Sequence, residues 1–585
     1  ADLFLAAGAV WTGGSGQPKS YDIESGQETA MIPQRMKGPM GHDRCYRNFI
    51  TDHYYINSKT GGADFLDLTS KKEFPNHWTR GTCGMGVIPC NGLLYVPPYS
   101  CQCSIGAMVK NFNAFYAEKG LKSSDQPIKV ERKIRLVKGP AFGQIENRKL
   151  VLSKAEGSKI ENPSAWPTYR HDGKRSGVTS SKVHAELAPL WTAEFRTVPS
   201  MPVVADNKVF VSDIDAHTVY ALEASSGETV WKYVAGGRVD SPPTYYKGLV
   251  LFGSRDGWVH CLRASDGTLA WRFKDLPDKL IGAFDQLESA WPICGSVLIK
   301  NDTLYFTAGR SSFLDGGIFI YALDPETGRV KRSRQMYGPF DKKTGFPAVE
   351  NKGFKEDILV TDGRRLYLRH KAFADDLSDT TAAPHLLPSA GFLDGSPQHR
   401  TYWTVSQTGG FTGKTKINPP CGDILVTDGK DYYEVRGFPV HRHSYFDPRV
   451  KGYELVAGTL GGGDTSTAEA AKKSRRRGKA VAANRPAEKW SDDIPLTGRA
   501  MVLASDVLFV AGTPAYFPPS HPWEKYRDSY EGKLGGVLWV ASAADGKKLA
   551  QYELDAPPVW DGMAAAYGKL YISTTDGKIS CLGGK

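Results

Sequence analysis

One phrase recurs along this chain at intervals of about 40 to 60 residues, and it limits the fold more than any other feature. It reads YALEASSGETVWK at 220–232, HCLRASDGTLAWR at 260–272 and YALDPETGRVK at 321–331. Each copy has an alternating apolar run, a turn that contains Gly and a second apolar run, and Trp231 and Trp271 occupy the same slot. A repeat of this length with strand patterns on both sides predicts stacked four-stranded units, the blades of a β-propeller.

Repeat units can be followed from residue 166 to the end of the sequence. The fourth and fifth of these units both open with DILVTDG, at 357–363 and 423–429. About three more units come earlier, beginning near Leu3, Tyr54 and Gly92. We therefore predict an all-β protein, a β-propeller of four-stranded antiparallel blades with seven or eight blades in the main ring, plus about three further N-terminal blades.

The chain divides into three parts by composition. Residues 1–118 hold the N-terminal blades, 119–160 form a basic linker, and 161–585 form the propeller, with insertions at 371–397, 412–419 and 461–488. Three blades cannot close a ring. The N-terminal blades therefore either join the later ring or need a missing propeller portion or a second chain contacting 1–118.

Positive charge is concentrated in two places. The formal net charge is +11, of which residues 119–160 carry +7 and the run at 472–479 carries +6, so the rest of the chain is near neutral. Such clusters can bind nucleic acid, anionic glycan or an acidic membrane, and they can equally be a solvated linker and loop. We prefer the solvated interpretation and predict no specific nucleic acid partner and no membrane span, because no apolar run approaches the length that a span needs.

Five of the nine cysteines fall in the first 103 residues. Their spacing does not match a paired CxxC zinc site. We predict disulfides formed in an oxidising compartment, and hence a secreted, periplasmic or cell-envelope protein, with a metal site that recruits His42 or His77, or simple buried thiols, as alternatives. The alternating strand patterns around Cys261 and Cys581 predict that these two thiols lie in the core. The disulfide candidates are Cys45, Cys83, Cys90, Cys101 and Cys103.

The repeat phrase resembles that of PQQ-like, or quinoprotein and BamB-like, propellers. The segment WPTYRHDGKRSG at 166–177 resembles the start of many such propellers. Over the whole chain, HDRCYRN at 42–48, NHWTRGTC at 76–83, NGLLYVPPYSCQC at 91–103, GFLDGSPQHRTYW at 391–403 and DAPPVWDGMAAA at 555–566 are similar to large secreted repeat proteins of planctomycete-type bacteria. The resemblance implies the fold, and it implies that the part like 1–118 is the end of an earlier propeller.

The resemblance does not imply the quinone cofactor. Quinoprotein dehydrogenases of this fold use adjacent cysteines and a Ca²⁺ site, and no Cys-Cys pair occurs in this sequence. We expect no cofactor and no binding of PQQ, and we keep a structural metal ion as an alternative.

The sequence offers one group suited to polysaccharide elimination. Abstraction of the proton next to a uronate carboxylate needs a charge neutraliser, a base and a proton donor. His399, Arg400 and Tyr402 provide these chemical types at the end of an insertion, so we predict them as catalytic residues; the alternative is a strand start whose polar groups bond to backbone.

Two further clusters are candidates for substrate contacts, and each has a simpler structural interpretation. For the cluster HDRCYR at 42–47 the alternative is an Arg-Asp pair with a disulfide near a blade junction, and for the cluster RGFPVHRHSYF at 436–446 it is a loop surface. Two His at i and i+2 on a strand point the same way, but the sequence supplies no third metal ligand. Asp213, Asp215, His217, Arg238 and Asp240 are further candidates for a propeller face. The predicted substrate-binding residues are His441, Arg442, His443 and Tyr445, and His42, Arg44 and Tyr46.

Two functions follow as hypotheses. In the first, an extracytoplasmic propeller binds a polysaccharide on one face and cleaves it by β-elimination. In the second, the propeller is a non-catalytic scaffold for protein interactions in an envelope or extracellular complex. Motifs for serine hydrolases, zinc proteases, P-loops and dinucleotide binding do not occur in the sequence.

Overall fold

The architecture is taken from a computed structural model. It describes residues 2–13, 17–34, 47–60, 62–76, 79, 81, 84–97, 112–116, 130–144, 162–283, 285–339, 358–388, 391–392, 403–407, 420–437, 452–460, 488–516 and 521–585. Within these ranges the chain is almost entirely β-structure. No helix of this described part is long and apolar enough to cross a membrane.

Three sheets precede the main ring, and we call them N1, N2 and N3. Their strands run antiparallel in chain order. The three sheets pack face to face in the order N1, N2, N3, and the two faces of N2 contact different neighbours. Leu66 of N2 shares a buried apolar cluster with Trp11 of N1, and Ile56 of N2 shares another with Leu94 of N3. N1 contains β1 (Asp2–Ala6), β2 (Ala9–Gly13), β3 (Lys19–Tyr21) and β4 (Glu28–Met31); N2 contains β5 (Phe49–Ile50), β6 (Tyr54–Asn57), β7 (Asp64–Asp67) and β8 (Glu73–Phe74); N3 contains β9 (Ile88–Cys90), β10 (Leu93–Val96) and β11 (Asn113–Phe115).

Three single strands follow before the first complete sheet of the ring. Each joins a sheet formed by residues much later in the chain. They are β12 (Arg135–Lys138), β13 (Val178–Thr179) and β14 (Leu187–Glu194).

Eight successive sheets, R1 to R8, then form the ring. R1 contains β15 (Val203–Ala205), β16 (Lys208–Asp213), β17 (Thr218–Glu223) and β18 (Thr229–Val234); R2 contains β19 (Thr244–Tyr246), β20 (Leu249–Gly253), β21 (Val259–Arg263) and β22 (Leu269–Lys274), followed by the hairpin of β23 (Leu280–Ala283) and β24 (Gln286–Ser289). R3 contains β25 (Leu298–Lys300), β26 (Thr303–Ala308), β27 (Ile318–Leu323) and β28 (Val330–Met336); R4 contains β29 (Leu359–Thr361), β30 (Leu366–Leu368), β31 (Lys371–Phe373) and β32 (Asp379–Thr380).

The second half of the ring continues in the same order. R5 contains β33 (His385–Pro388), β34 (Trp403–Ser406) and β35 (Cys421–Gly422); R6 contains β36 (Ile424–Thr427), β37 (Asp431–Arg436), β38 (Tyr453–Thr459) and β39 (Glu488–Ile494). R7 contains β40 (Ala500–Ala504), β41 (Val507–Gly512), β42 (Gly536–Ser542) and β43 (Lys548–Leu554), with helix α1 (Trp523–Tyr530) between β41 and β42; R8 contains β44 (Pro558–Ala566), β45 (Lys569–Thr574) and β46 (Lys578–Gly584).

Strand β14 closes the ring. It precedes R1 in the chain but pairs with β46, so the outermost strand of the last sheet comes from the residues before the first. The core agrees with this closure, because Val204 and Leu222 of R1 share one buried apolar cluster with Ala565 and Tyr571 of R8. The predicted all-β propeller is therefore confirmed, as are the core positions of Cys261 and Cys581.

The tryptophan and glycine of the repeat phrase hold neighbouring sheets together. Trp231 on the outer strand of R1 donates its indole N–H to the carbonyl oxygen of Ala264 in R2, at 2.9 Å. A Cβ on Gly267 would lie 2.6 Å from the Trp231 ring, so the ring rests directly on the glycine of the next sheet. The same donor–carbonyl contact recurs from Trp191 to Ala224, from Trp271 to Pro325 and from Trp490 to Ala543.

Two boundaries from the sequence need correction. Residues 371–397 were expected to be an insertion, but β31, β32 and β33 lie inside this range and belong to R4 and R5, because their short apolar runs pair with neighbouring strands. Part of the 119–160 linker is also ordered, because β12 adds a fifth strand to R2. Arg132, just before β12, forms an ion pair with Asp275. The expected insertion at 412–419, and that at 461–488 except for its last residue, lie outside the described residues.

Candidate functional site

The two faces of the ring differ in their connections. At one face the inner strands turn back through two residues, many with positive φ, as at Asp206–Asn207 and Asn301–Asp302. The opposite face carries several long connections, among them the β23–β24 hairpin and the segment with α1. We call these the turn face and the loop face. Long loops on a rigid frame are the usual place for binding residues, so the loop face is the candidate region.

Residues 164–179, the central segment, cross the middle of the ring near the turn face. Their backbone bonds to the inner strands of most sheets in turn. Trp166 N–H donates to the Val204 carbonyl at 2.7 Å, Thr361 N–H to the Gly173 carbonyl at 2.9 Å, and Leu503 N–H to the Gly177 carbonyl at 3.0 Å. These contacts tie R1, R4 and R7 to one short stretch of chain.

Two arginines of the central segment fill the space between the inner strands. Arg170 forms a buried ion pair with Asp561 and donates to the Leu425 carbonyl. Asp561 also accepts hydrogen bonds from Tyr169 Oη at 2.6 Å and from Trp403 Nε1 at 3.2 Å. The end of the channel nearest the turn face is thus occupied by the side chains of the protein itself.

Arg175 is fully buried in the same space. Its guanidinium donates to the Leu359 carbonyl at 3.1 Å, to Thr168 Oγ1 at 3.1 Å and to the Tyr169 carbonyl at 3.0 Å. Loss of hydration lowers the pKa of Arg175 to about 10, so the side chain keeps its charge at neutral pH. The sequence motif at 166–177 therefore has a structural role.

A second group of charges, the Arg255 network, lies on the loop-face side of R1 and R2. Arg255 donates to Asp240 at 2.5 Å, to Glu288 Oε2 at 2.9 Å and to the Phe392 carbonyl at 3.3 Å. Arg238 reaches Asp240 at 3.2 Å and Asp215 at 3.2 Å. The network fixes the β23–β24 hairpin, through Glu288, to the connections that precede it.

The predicted face residues Asp213, Asp215, His217, Arg238 and Asp240 have separate positions. Asp213 is buried and accepts backbone N–H bonds from Arg196 at 3.1 Å and Thr197 at 3.0 Å, so it shapes a connection. His217 is half-buried, has a positive φ and bonds to Gln286 of the hairpin. The other three belong to the Arg255 network.

One buried pair has the residue types of a hydrolase site but not its geometry. His260 Nε2 lies 3.2 Å from Ser254 Oγ, and His260 Nδ1 lies 3.2 Å from Tyr233 Oη. Both Ser254 and His260 are closed to solvent, and Asp256 bonds to the serine instead of the histidine. Burial lowers the pKa of His260 to about 4, so this histidine is a neutral core group.

A buried carboxyl faces the tyrosines around α1. Asp423 is 7% exposed, and no hydrogen bond or ion pair to its carboxyl occurs within the described residues. Desolvation raises the pKa of Asp423 well above its usual range, and Tyr453 and Tyr526 lie close enough to interact with it electrostatically. Arg499 completes this Asp423 cluster by donating to the Tyr530 carbonyl at 2.9 Å. Burial thus favours the protonated form of this carboxyl.

An open groove of about 590 Å³ separates R3 from R4 on the outer side. Its charged groups pair with one another, since Asp379 accepts from Arg334 at 2.7 and 3.1 Å and lies 3.0 Å from Lys371. Burial, helped by the nearby cations Arg369 and Lys371, lowers the pKa of His370 to about 4. The groove therefore presents little unpaired charge.

The sequence-predicted site residues themselves lie outside the described residues. The segment that carries His399, Arg400 and Tyr402 is bounded by Phe392 and Trp403, and the rings of both contact Tyr169. The residues outside the described part are His42, Arg44, Tyr46, His399, Arg400, Tyr402, His441, Arg442, His443 and Tyr445. The segment that carries His441, Arg442, His443 and Tyr445 is bounded by Arg436–Gly437 and Gly452–Tyr453. Tyr453 belongs to the Asp423 cluster, so this segment begins and ends near that cluster.

Comparison with known proteins identifies the repeat. A family model described as "Outer membrane protein assembly factor BamB" matches residues 181–360. The chain is a PQQ-like β-propeller protein. The proteins of that name from Moranella endobia and Xanthomonas campestris are 32% and 34% identical to it over 96 residues, which is 16% and 15% of this chain and 24% and 23% of theirs.

This PQQ-like propeller thus spans about a quarter of the length of the curated relatives that it matches. Among solved structures it is similar to quinohemoprotein alcohol dehydrogenase from Comamonas testosteroni, at 14% identity over 72% of this chain and 81% of that one, with a TM-score of 0.45. BamB from Moraxella catarrhalis is similar at 11% identity over 74% and 98%, with a TM-score of 0.29. These likenesses say nothing about chemistry.

The described residues of the PQQ-like propeller include one of the five disulfide candidates. In the described ranges, no group of three His, Cys, Asp or Glu side chains is placed to hold a metal ion. Cys90, a disulfide candidate, is exposed at the end of β9, and no disulfide joins it to another described cysteine. Cys45, Cys83, Cys101 and Cys103 lie outside the described residues.

The sequence pointed to Asp215, Arg238 and Asp240 of the Arg255 network but not to Arg255 itself, and it did not single out the Asp423 cluster. Arg255 sits in the turn between β20 and β21, where a charged residue reads as solvated. Asp423 opens the repeated DILVTDG phrase and reads as a strand-flanking acid. Only the fold shows that each is buried, so sequence spacing held no signal for either.

Proposed function

We propose that this protein is a non-catalytic binding scaffold that works outside the cytoplasm and holds a protein partner on its loop face. The observation that carries the proposal is the asymmetry of the ring. The turn face carries the two-residue turns of the inner strands and is backed by the central segment, whereas the β23–β24 hairpin and the segment with α1 emerge at the loop face.

The loop face has the rigidity that a binding surface needs. The Arg255 network joins the β23–β24 hairpin to R1 and R2 through charge-assisted hydrogen bonds at 2.5 to 2.9 Å. Such bonds are shorter and stronger than neutral ones, so they limit the ordering cost of binding. The hairpin is thus a fixed projection.

Exposed apolar side chains mark where a partner would contact the hairpin. Leu280 is 56% exposed and Leu287 is 68% exposed, and both lie on the hairpin. Trp523 on α1 is also exposed and stacks on Tyr526, with ring centroids 4.9 Å apart. Apolar and aromatic groups on a rigid frame are typical of the centre of protein interfaces.

The names of the curated relatives favour the same class of function. Both are called outer membrane protein assembly factors, and a factor that assembles other proteins acts by binding them. We infer an envelope location for this chain from the same relatives.

Affinity capture with matched variants tests the proposal. Wild-type protein, a double Leu280→Ser and Leu287→Ser variant, and a Leu549→Ser control would each be crosslinked in the intact envelope and the bound proteins quantified by mass spectrometry. Leu549 is similarly exposed but lies on β43, close to the turn face. The same partner should be retained by wild type and control and lost from the hairpin variant. Equal capture by all three would refute the loop-face assignment.

Polysaccharide binding and elimination is the second candidate. It is favoured by the anchoring of the segment that carries His399, Arg400 and Tyr402, because Phe392 accepts a hydrogen bond from Arg255 and packs on Tyr169. Ultraviolet absorbance during incubation with uronate polysaccharides would report the unsaturated product. A rise that is abolished by His399→Ala would replace the scaffold proposal with a lyase, and a flat trace would reject the lyase.

A further inference from the structure

Sheet N1 has the same internal pattern as the ring sheets, which allows residue-by-residue comparison with R1. Ala7–Gly8 of N1 and Asp206–Asn207 of R1 form equivalent turns with positive φ. Gly26 and Gly227 are the equivalent glycines of the second turn, and the strand register shifts after Ser20 as it does after Ala221. The comparison equates Leu5, Val10, Tyr21 and Ile23 of N1 with Val204, Val209, Leu222 and Ala224 of R1.

In the ring these four positions form the packing face toward the preceding sheet. Val204, Val209, Leu222 and Ala224 of R1 are all buried in the cluster shared with R8. In N1 the equivalent residues are also apolar or aromatic, but Leu5 is 71% exposed, Ile23 is 54% exposed, and Val10 and Tyr21 are only half-buried. N1 therefore presents a sheet-packing face on which none of the other described sheets packs.

The other end of the N-terminal arc has the opposite open face. Ile88, Cys90 and Tyr95 of N3 are equivalent to Val203, Ala205 and Phe210 of R1, which pack against the following sheet R2. Ile88 is 55% exposed, Cys90 is exposed, and the ring of Tyr95 contacts the exposed Phe112. N1, N2 and N3 thus form an arc that begins with one unpaired face and ends with its complement.

The main ring does not supply the missing contacts. R1 to R8 pack consecutively and R8 packs on R1, so the described sheets of the ring have no comparable face left open. A second copy of the chain has both required faces, one on N1 and one on N3. Two three-sheet arcs related by a two-fold axis would close a ring of six sheets, within the usual range of four to eight blades.

We propose that two copies of this chain associate head to tail through their N-terminal sheets, N1 of each copy packing on N3 of the other. The interface continues the sheet-on-sheet packing that already joins N1 to N2 and N2 to N3. Burial of the exposed leucine and isoleucine side chains supplies the driving force.

Light scattering after size exclusion, with the full chain at micromolar concentration, tests the association. Wild-type protein should have twice the mass of one chain, and a double Leu5→Gln and Ile23→Lys variant should have the mass of one. Leu287→Gln on the β23–β24 hairpin is the control and should leave the mass doubled. Because Leu5 and Ile23 are already exposed, the variants should keep wild-type circular dichroism, which separates loss of association from misfolding.

The head-to-tail arrangement makes a second, more specific prediction. Ile88→Lys alters the opposite face and should also give a single-chain mass. Mixing it with the Leu5→Gln and Ile23→Lys variant should restore association, seen as energy transfer between labelled chains, because one intact N1–N3 contact is then available. A single-chain mass for wild type would overturn the proposal and assign the open faces to sheets that are not part of a second copy of residues 1–585. Association that survives Ile88→Lys would overturn it in favour of N1-to-N1 contact.

Discussion

Buried arginines decide how the middle of the ring is filled. Arg170 and Arg175 both come from the central segment, and between them they reach inner-strand residues of R4, R6 and R8. A guanidinium has several donors in one plane, so two side chains can satisfy carbonyl groups that face the axis from different sheets.

Replacing Arg170 should destabilise the fold strongly. Arg170→Met leaves the carboxylate of Asp561 buried without its cation, and removal of one partner from a buried pair costs about 3–5 kcal/mol. The free energy of unfolding in denaturant measures the loss. Arg527→Met, which removes an exposed ion pair with Asp528, is the control and should change stability by less than about 0.5 kcal/mol. Similar effects of the two substitutions would contradict a structural role for the central segment.

Asp423 should make stability depend on pH. Its pKa in the folded state lies above the value of 3.8 for the free side chain, so the folded protein binds the proton more tightly than the unfolded chain. The contribution of Asp423 to stability is therefore fully present below about pH 4 and is lost as the pH rises through the folded pKa.

Asp423→Asn removes this titration and keeps the shape of the side chain. The variant should melt at a higher temperature than wild type at pH 8, and the difference should shrink toward zero at pH 4. Thermal melts of both proteins at the two pH values provide the measurement. A difference that stays constant with pH would mean that folding does not change the pKa of the Asp423 carboxyl.

At the scale of elements, the repeat glycines have two separable roles. Gly267 has φ near +71°, and a Cβ there would lie 2.6 Å from the ring of Trp231. Gly248 has φ near +80° in the turn between β19 and β20, and a Cβ there would meet nothing within 4 Å. The two positions thus share the backbone requirement, while only Gly267 is crowded.

Alanine at the two glycines should separate backbone strain from crowding. Gly248→Ala should cost about 1–2 kcal/mol, because only the left-handed backbone is penalised. Gly267→Ala should cost about 1–3 kcal/mol more, because the added methyl displaces the Trp231 ring. Chemical denaturation of both variants measures the costs, and equal values would show that the tryptophan yields without penalty.

The elements show how far the sequence could be interpreted. The apolar runs of strands such as β16 and β26, bounded by Gly turns, predicted the sheets correctly, although both strands are buried on both faces because each sheet packs between two neighbours. The short strands of R4 were mistaken for the start of an insertion. β31 has three residues, too few for a period to be recognised, and its place depends on pairing with β30.

The candidate site was predicted far less well than the fold. Arg255 and Asp423 owe their environment to residues distant in sequence, such as Glu288 for the first and Tyr526 for the second. A repeat phrase encodes contacts between neighbouring strands and sheets, which are nearly identical in each unit. The repeat phrase does not predict which loops lie together at the loop face, because their positions depend on the curvature of the completed ring.

At the scale of the whole molecule, closure of the ring links residues nearly 400 positions apart. Strand β14 pairs with β46, and Trp191 on β14 donates to the Ala224 carbonyl at 3.2 Å and packs near Tyr571. Trp231 makes the equivalent contact between R1 and R2, which are adjacent in sequence. The two tryptophans thus perform the same local task, but only Trp191 joins the ends of the ring.

Substitution of these two tryptophans should therefore have different distant effects. Trp191→Ala and Trp231→Ala should each lower stability by about 3–5 kcal/mol, because each leaves a cavity and an unpaired carbonyl. Hydrogen exchange should accelerate across β14 and β44–β46 in Trp191→Ala, since the last sheet is released from the first. In Trp231→Ala the faster exchange should centre on β18 and the R2 strands, which remain held by their neighbours on both sides. The same exchange pattern in both variants would mean that β14 does not close the ring, and that the eight sheets are held by local packing alone.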